Sequence, residues 1–274
     1  MSPSTPTEQH RELLPERGLT PSPSAPNVLK PALYSEALSR VAAQTPPKRQ
    51  TAGLVIPDYA LRMAVLDFEN FPEDPEEQIR LLRFRLRKTV PFPIEEARLA
   101  SSVQLRQEAH IEVLVLAIAQ PILAEYESIF TLAGYRIGMV LPSSIAVLKL
   151  CDKGELGLSL VAKATPTTLS VTLVNEGKVR LFRSIDLTGS EDEWQRPAPE
   201  IVMPLLQQTL AFAEDQIGQS AHRLILCGFG PDTDALGQSA ELEFGIPYMP
   251  LRSKFGIASQ ENAGLLGLLE QYAA

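Results

Sequence analysis

The chain has 274 residues, 45% hydrophobic and 21% charged, with a formal net charge of −8. That length supports one large core or two smaller ones, and the acidic balance argues against a nucleic-acid surface spanning the whole protein. Two cysteines in apolar contexts, Cys151 and Cys227, predict buried reduced thiols and not a secreted disulfide scaffold.

Residues 1–26 are rich in Pro, Ser, Thr and charge, which predicts a disordered tail. Leu29 to Ala43 reads as a helix with Leu33, Ala37, Leu38 and Val41 on one face. Beyond Pro46-Pro47 come strands at Ala52–Ile56 and Leu61–Phe68, separated by the turn at Pro57-Asp58. A helix from Asp74 to Lys88 follows, with Asp74 placed to cap it, Pro75 in its first turn and Glu77 completing a capping box. Its apolar stripe is Ile79, Leu82 and Leu86. Its basic run, Arg80, Arg83, Arg85, Arg87 and Lys88, is either a solvated face supported by a Glu76–Arg80 pair or a docking surface for an acidic partner or anionic headgroups. The helix stops at Val90-Pro91-Phe92-Pro93-Ile94-Glu95-Glu96, where two prolines flanking Phe92 forbid further helix and fix entry into the next strand.

Leu99–Leu105 and Ile111–Ala119 read as an antiparallel pair. Pro121 opens a helix carrying Ile122, Tyr126, Ile129, Phe130 and Ala133, closed by Gly134. Tyr135–Leu141 returns as a strand, and Pro142 starts a helix through Leu150. Leu156–Ala162, Thr168–Val174 and Lys178–Leu187 form a meander with its turn at Asn175-Glu176-Gly177. Gly189–Pro199 reads as a linker, followed by a helix from Glu200 to Ile217, a strand at Leu224–Cys227, a glycine turn at Gly228-Phe229-Gly230 and a helix near Thr233–Phe244. A short strand at Ile246–Met249 and a helix at Gln260–Tyr272 end the chain.

Several chemistries have no anchor. His10, His110 and His222 are scattered, with no Cys/His spacing for zinc, and there is neither a Gly-x-Ser-x-Gly elbow nor a P-loop. Glu95 and Glu96 are adjacent on extended chain and point to opposite faces, so they are not paired acids. No signal peptide opens the chain and the longest apolar run, around Ile111–Ala119, is too short for a bilayer, so a cytoplasmic protein without its own transmembrane segment is expected.

The Val90–Glu96 joint resembles that of the PilM-type pilus-assembly proteins, members of the actin-like superfamily beside FtsA, in which a Glu/Arg-rich helix ends in Ile/Val-Pro-Phe-Pro-Leu/Ile-Glu-Glu before a strand. Ile56-Pro57-Asp58 is similar to the family's Leu-Pro-Asp strand end, and the elements around Ala133-Gly134-Tyr135 and Pro142 fall in family order. The resemblance implies an α/β, actin-like (ribonuclease H-like) two-domain fold with an FtsA/PilM-type inserted subdomain. On that plan residues 27–60 and 141–152 are a remnant of the first actin-like subdomain, 61–140 the insertion, and 153–274 the second domain, with 189–199 as its linker.

An actin-like ATPase grips phosphates with two Asp-x-Gly hairpins, because glycine admits backbone N–H groups to the phosphate and aspartate positions magnesium. The resemblance places the first hairpin before Leu29, where only the tail stands. At the second, the family's Asp-Ile-Gly is Ala162-Lys163-Ala164, followed by Thr165, Thr167 and Thr168. Gly228 and Gly230 match the adenosine turn, although a glycine turn after a strand also serves simply to reverse the chain. A helical segment that covers the nucleotide is replaced by the polar 188–199 stretch. The expectation is a degenerate ATP site, no cofactor and no enzyme activity. The alternative is a working site for ATP and Mg on Lys163, Thr165, Thr167, Thr168, Gly228 and Gly230.

The resemblance implies a scaffold at the inner-membrane platform of a type IV pilus or related secretion machine, peripheral to the membrane through partners. The expected partner is a PilN-like membrane protein, held through its cytoplasmic N-terminal peptide, with a pilus motor ATPase as a second candidate. The peptide groove is expected in the region bounded by Val65, Leu66 and the Leu82–Phe92 segment, with Val65, Leu66, Arg85 and Phe92 as its contacts.

Overall fold

A computed structural model describes residues 10, 12, 18–44, 51–151, 156–165, 167–187, 197–259 and 262–273. Its first unit is built on two parallel strands, β1 (Thr51–Ile56) and β5 (Arg136–Pro142), with helices α1 (Pro31–Gln44), α3 (Gln120–Leu132) and α4 (Ser143–Cys151). Tyr34, Leu54, Ile56, Ile122, Tyr126 and Ile129 are buried together there. Gly134, at φ +84°, follows α3 and lets the chain turn into β5.

Residues 18–26 depart from the expected disordered tail. Leu19 bridges Val28, and buried Asn27 organises the turn between them. The Asn27 and Val28 amides donate to the Glu125 carboxylate at 2.6 and 2.9 Å, while the Asn27 side chain accepts from the Tyr126 hydroxyl at 2.8 Å. A polar composition does not prevent ordering when one buried amide satisfies so many partners. Residues 1–9, 11 and 13–17 of that tail lie outside the described residues.

Between β1 and β5 the chain inserts a three-stranded antiparallel sheet of order β2-β4-β3, with β2 at Arg62–Phe68, β3 at Ala97–Gln107 and β4 at His110–Ala119. Strand alternation gives it two apolar faces. One, with Val113, Val115 and Ala117, is covered by α2 (Pro75–Leu86) through Leu82 and Leu86; the other, with Leu114 and Ile118, meets the first unit. Asp74 caps α2 by accepting from the Glu77 amide at 2.9 Å. Ile79 remains exposed, and Arg80 lies near Glu77, at 3.9 Å, rather than pairing with Glu76. After the Pro-Phe-Pro joint, Ile94 is buried under the sheet, and an exposed Arg87–Glu95 pair of 2.7 Å spans the bend.

The second unit is a five-stranded sheet of order β10-β9-β6-β7-β8. β6 (Leu158–Thr165), β7 (Thr168–Asn175) and β8 (Lys178–Asp186) form the antiparallel meander, turned at Glu176 (φ 51°) and Gly177 (φ 74°). β9 (Ala221–Cys227) and β10 (Tyr248–Pro250) add in parallel, with α5 (Pro199–Phe212) and α6 (Thr233–Phe244) beside them. The helix expected through Ile217 changes at Phe212 to a wider π turn, Ala213–Ile217, ended by left-handed Gly218. Residues 189–196 of the expected linker lie outside the described residues, and Pro199 already opens α5. A small hairpin, β11 (Arg252–Ser253) and β12 (Gly256–Ile257), which the sequence did not announce, precedes α7 (Ala263–Ala273).

Two of the contacts between the units lie at β8 and at α7. β8 meets the inserted sheet, where Arg180 grips the buried Glu112 carboxylate through two bonds of 2.6 Å and the Val179 amide donates to the Gln104 side chain at 2.8 Å. α7 lies along α4, and a Cβ at Gly267 would overlap the Ala146 carbonyl oxygen. Gly267→Ala therefore forces these helices apart; urea denaturation should show a loss of about 2 kcal/mol or more, and an unchanged midpoint would contradict the crossing.

Candidate functional site

β1 is followed by Pro57-Asp58, and Asp58 is buried. Its carboxylate accepts from the Ser144 amide and hydroxyl, both at 2.7 Å, and from the Ser170 hydroxyl at 3.1 Å. The Lys163 ammonium of β6 lies 3.5 Å from the same group, with side-chain exposures of 4% for Lys163 and 2% for Asp58. The first turn of α4 supplies the amide, so the positive end of that helix also favours the anion. Four donors from three separated segments converge on one carboxylate. Lys163 is thus a buried partner of Asp58.

The threonines after Lys163 shape their own hairpin. Thr165 donates its hydroxyl to the Thr168 carbonyl at 3.2 Å, Thr168 is buried, and the Thr167 carbonyl accepts from the Leu187 amide. Gly228 and Gly230 instead line a cavity of about 800 Å³ with Thr233, Asp234 and Tyr248, beyond the ends of β9 and β10. The six residues expected to share a nucleotide are therefore divided between a buried ion pair, a threonine turn and this cavity. Gly228, at φ +89°, has a packing reason: a Cβ there would overlap the Ala164 carbonyl oxygen. The cavity's own chemistry is modest. Tyr248 donates to Asp234 at 2.8 Å, and burial pushes the Cys227 thiol pKa up to about 11.

A second cavity, of about 110 Å³, opens between the inserted sheet and the first unit. Leu99, Ala100, Leu116 and Ile118 line one side; Ile56, Leu61, Leu123, Val140 and Pro142 line the other, with Arg98 as the one charged member. None of Val65, Leu66, Arg85 and Phe92 borders it. Val65 and Leu66 are neighbours on β2 and face opposite sides of the sheet, Val65 toward the first unit and Leu66 toward α2. Arg85 stacks over Phe68 at 4.8 Å and donates to the Asp67 carbonyl, while Phe92 packs on the α2 side. Leu82 and Leu86, on the segment expected to bound the groove, are buried against the sheet with Leu66 and Phe92. The available signal for the observed cleft was the alternation of β4, apolar on both faces, which requires cover from two sides.

No family model and no curated protein matches the chain. Solved structures do. A PilM-PilN type IV pilus biogenesis complex matches with a TM-score of 0.78 at 17% identity, over 96% of this chain and 90% of the other. A Bacteroides thetaiotaomicron protein of actin-like ATPase fold and unknown function matches at 0.50 and 14% identity, over 86% and 80%. The cytoplasmic domain of EpsL, an inner-membrane component of the Vibrio cholerae type II secretion system, matches at 0.50 and 12% identity, over 87% and 79%. The fold is actin-like, and the likeness extends through the inserted sheet.

The Asp58–Lys163 contact makes a quantitative demand. Lys163→Ala strands a buried carboxylate and should cost about 3–5 kcal/mol in urea denaturation, whereas the neutral pair Asp58→Asn/Lys163→Met should lose much less than the two single changes combined. Additive losses would show that the two side chains do not interact.

Proposed function

We propose that this actin-like chain is a cytoplasmic scaffold of a type IV pilus or related secretion platform. In this reading it captures the cytoplasmic N-terminal peptide of a PilN-like inner-membrane protein and hydrolyses no nucleotide. The carrying observation is the likeness to a chain of a PilM-PilN type IV pilus biogenesis complex over 96% of this chain, joined to an apolar cleft between the inserted sheet and the first unit. Such a cleft suits a few aliphatic anchors with a polar rim. Among the described residues no helix is long and apolar enough to cross a membrane, so attachment to a bilayer through those residues would be borrowed from a partner.

The residues do not fit ATP and magnesium. Where a metal-positioning carboxylate would serve, Lys163 carries a positive charge already directed to Asp58. A triphosphate would have to compete with Asp58 for that ammonium and leave the aspartate buried without its countercharge. Gly228 and Gly230 border a roomy cavity, but Gly228 is already required by its approach to Ala164.

One thermal-shift series tests both halves. A peptide from the cytoplasmic N-terminus of the PilN-like protein, at a hundredfold excess over its dissociation constant, should add about 2.7 kcal/mol of stability, and Mg-ATP should add none. Ala100→Trp, at an exposed position bordering the cleft, should abolish the peptide's effect while leaving the free protein's melting unchanged. A saturable Mg-ATP shift would overturn the nucleotide-free reading; absence of any peptide shift would overturn the scaffold.

A further inference from the structure

Helix α2 packs one face on the inserted sheet through Leu82 and Leu86. At 3.6 residues per turn, Arg80, Phe84 and Arg87 then lie on the opposite side, and Lys88 extends the row into the turn that follows. All four are exposed, Phe84 at 74%. Between Gln78 and Ile94 the sequence carries five basic residues and no acidic one, in a chain of net charge −8. The start of the helix is the reverse, with Asp74, Glu76 and Glu77 together. The cationic half of α2 is thus set apart from its acidic end.

The cations of this ridge are only lightly engaged. Arg80 lies 3.9 Å from Glu77 and Arg87 pairs with Glu95 at 2.7 Å, but every side chain in these pairs is more than half exposed. Exposed pairs contribute little and exchange readily for another anion. Lys88 makes no ion pair among the described residues. Arg85, on the flank, is different, being committed to the Phe68 ring and the Asp67 carbonyl. None of the three cavities in the described residues borders α2, so the ridge is convex, with a phenyl ring at its crest. Lipid headgroups can move laterally to meet such cations, and the boundary between headgroups and acyl chains accepts an aromatic ring without a preformed pocket. A folded acidic protein would have to present both the pocket and the acids in fixed positions.

We propose that the Arg80, Phe84, Arg87 and Lys88 ridge of α2 docks on the anionic phospholipid headgroups of a bilayer, with Phe84 inserted among them. A few cations and one ring give a weak, reversible contact, which orients the chain while anchorage stays with a partner. The remainder of the chain is acidic and is repelled by the same surface, so this ridge is the face turned toward it. The contact uses neither the cleft nor a peptide.

Vesicle sedimentation of the full chain tests it, with vesicles of phosphatidylglycerol and phosphatidylcholine in equal parts against phosphatidylcholine alone. The chain should sediment with the anionic vesicles at low salt, be released at about 0.5 M salt, and ignore the neutral ones. Arg80→Gln and Lys88→Gln should each weaken binding about fivefold, with the melting temperature unchanged. The chain has a single tryptophan, so in Phe84→Trp/Trp194→Phe the introduced indole reports alone. Its emission should move to shorter wavelength on adding anionic vesicles; an unshifted emission overturns insertion of the ring. Equal binding to both vesicles, or to neither, overturns the docking, as does binding that the α2 variants leave unchanged. Polyglutamate binding that Arg80→Gln and Lys88→Gln weaken, without vesicle binding, overturns the lipid assignment in favour of an acidic protein.

Discussion

The buried carboxylate of Asp58 is the constraint around which the two units are arranged. It lies at the end of β1, meets the first turn of α4, and takes a hydroxyl from β7 and an ammonium from β6. A charge in this position is costly unless every neighbouring donor is in place, so it fixes how the meander of the second unit approaches the first. The apolar contact of α7 with α4 and the Arg180–Glu112 clamp act in the same sense. Within an actin-like fold, the consequence is a molecule whose centre is internally satisfied. The inserted sheet contributes an apolar cleft against the first unit, with Arg98 at its margin.

Local chemistry was readable from sequence wherever one short segment contained both partners of an interaction. Asp74 and Glu77 are three residues apart, and Asp74 caps the helix by accepting from the Glu77 amide, while the Glu77 carboxylate lies toward Arg80. Glu176 and Gly177 make their turn from backbone conformation alone, and the Pro-Phe-Pro joint, which cannot be helical, follows the turn at Arg87–Val90 that ends α2 at Leu86. These elements also carried the resemblance that the fold comparison supports. Composition was less reliable for residues 18–26, where one buried asparagine and two apolar neighbours outweigh a polar stretch.

The candidate site was harder to read because its partners are distant in the chain. Lys163 was visible as an odd residue in a phosphate-turn position, yet nothing near it in sequence identified Asp58 as its acceptor. The residues expected to line the peptide groove lie apart from the observed cleft for a different reason. It gathered residues by proximity along the chain, whereas strand alternation puts Val65 and Leu66 on opposite faces and helix α2 seals one of them. The cleft that remains is assembled from both strand ends of the first unit and the margin of the inserted sheet, a pairing that only the closed fold brings together.

Hydrogen–deuterium exchange of the full chain, alone and with either the PilN-type peptide or Mg-ATP, addresses the central claim most directly. A nucleotide-free scaffold predicts that the peptide slows exchange along residues 97–103 and at the adjoining ends of β1 and β5, while Mg-ATP changes nothing. Slowed exchange at residues 163–168 and 228–234 on adding Mg-ATP, with no peptide effect on β3, would contradict it.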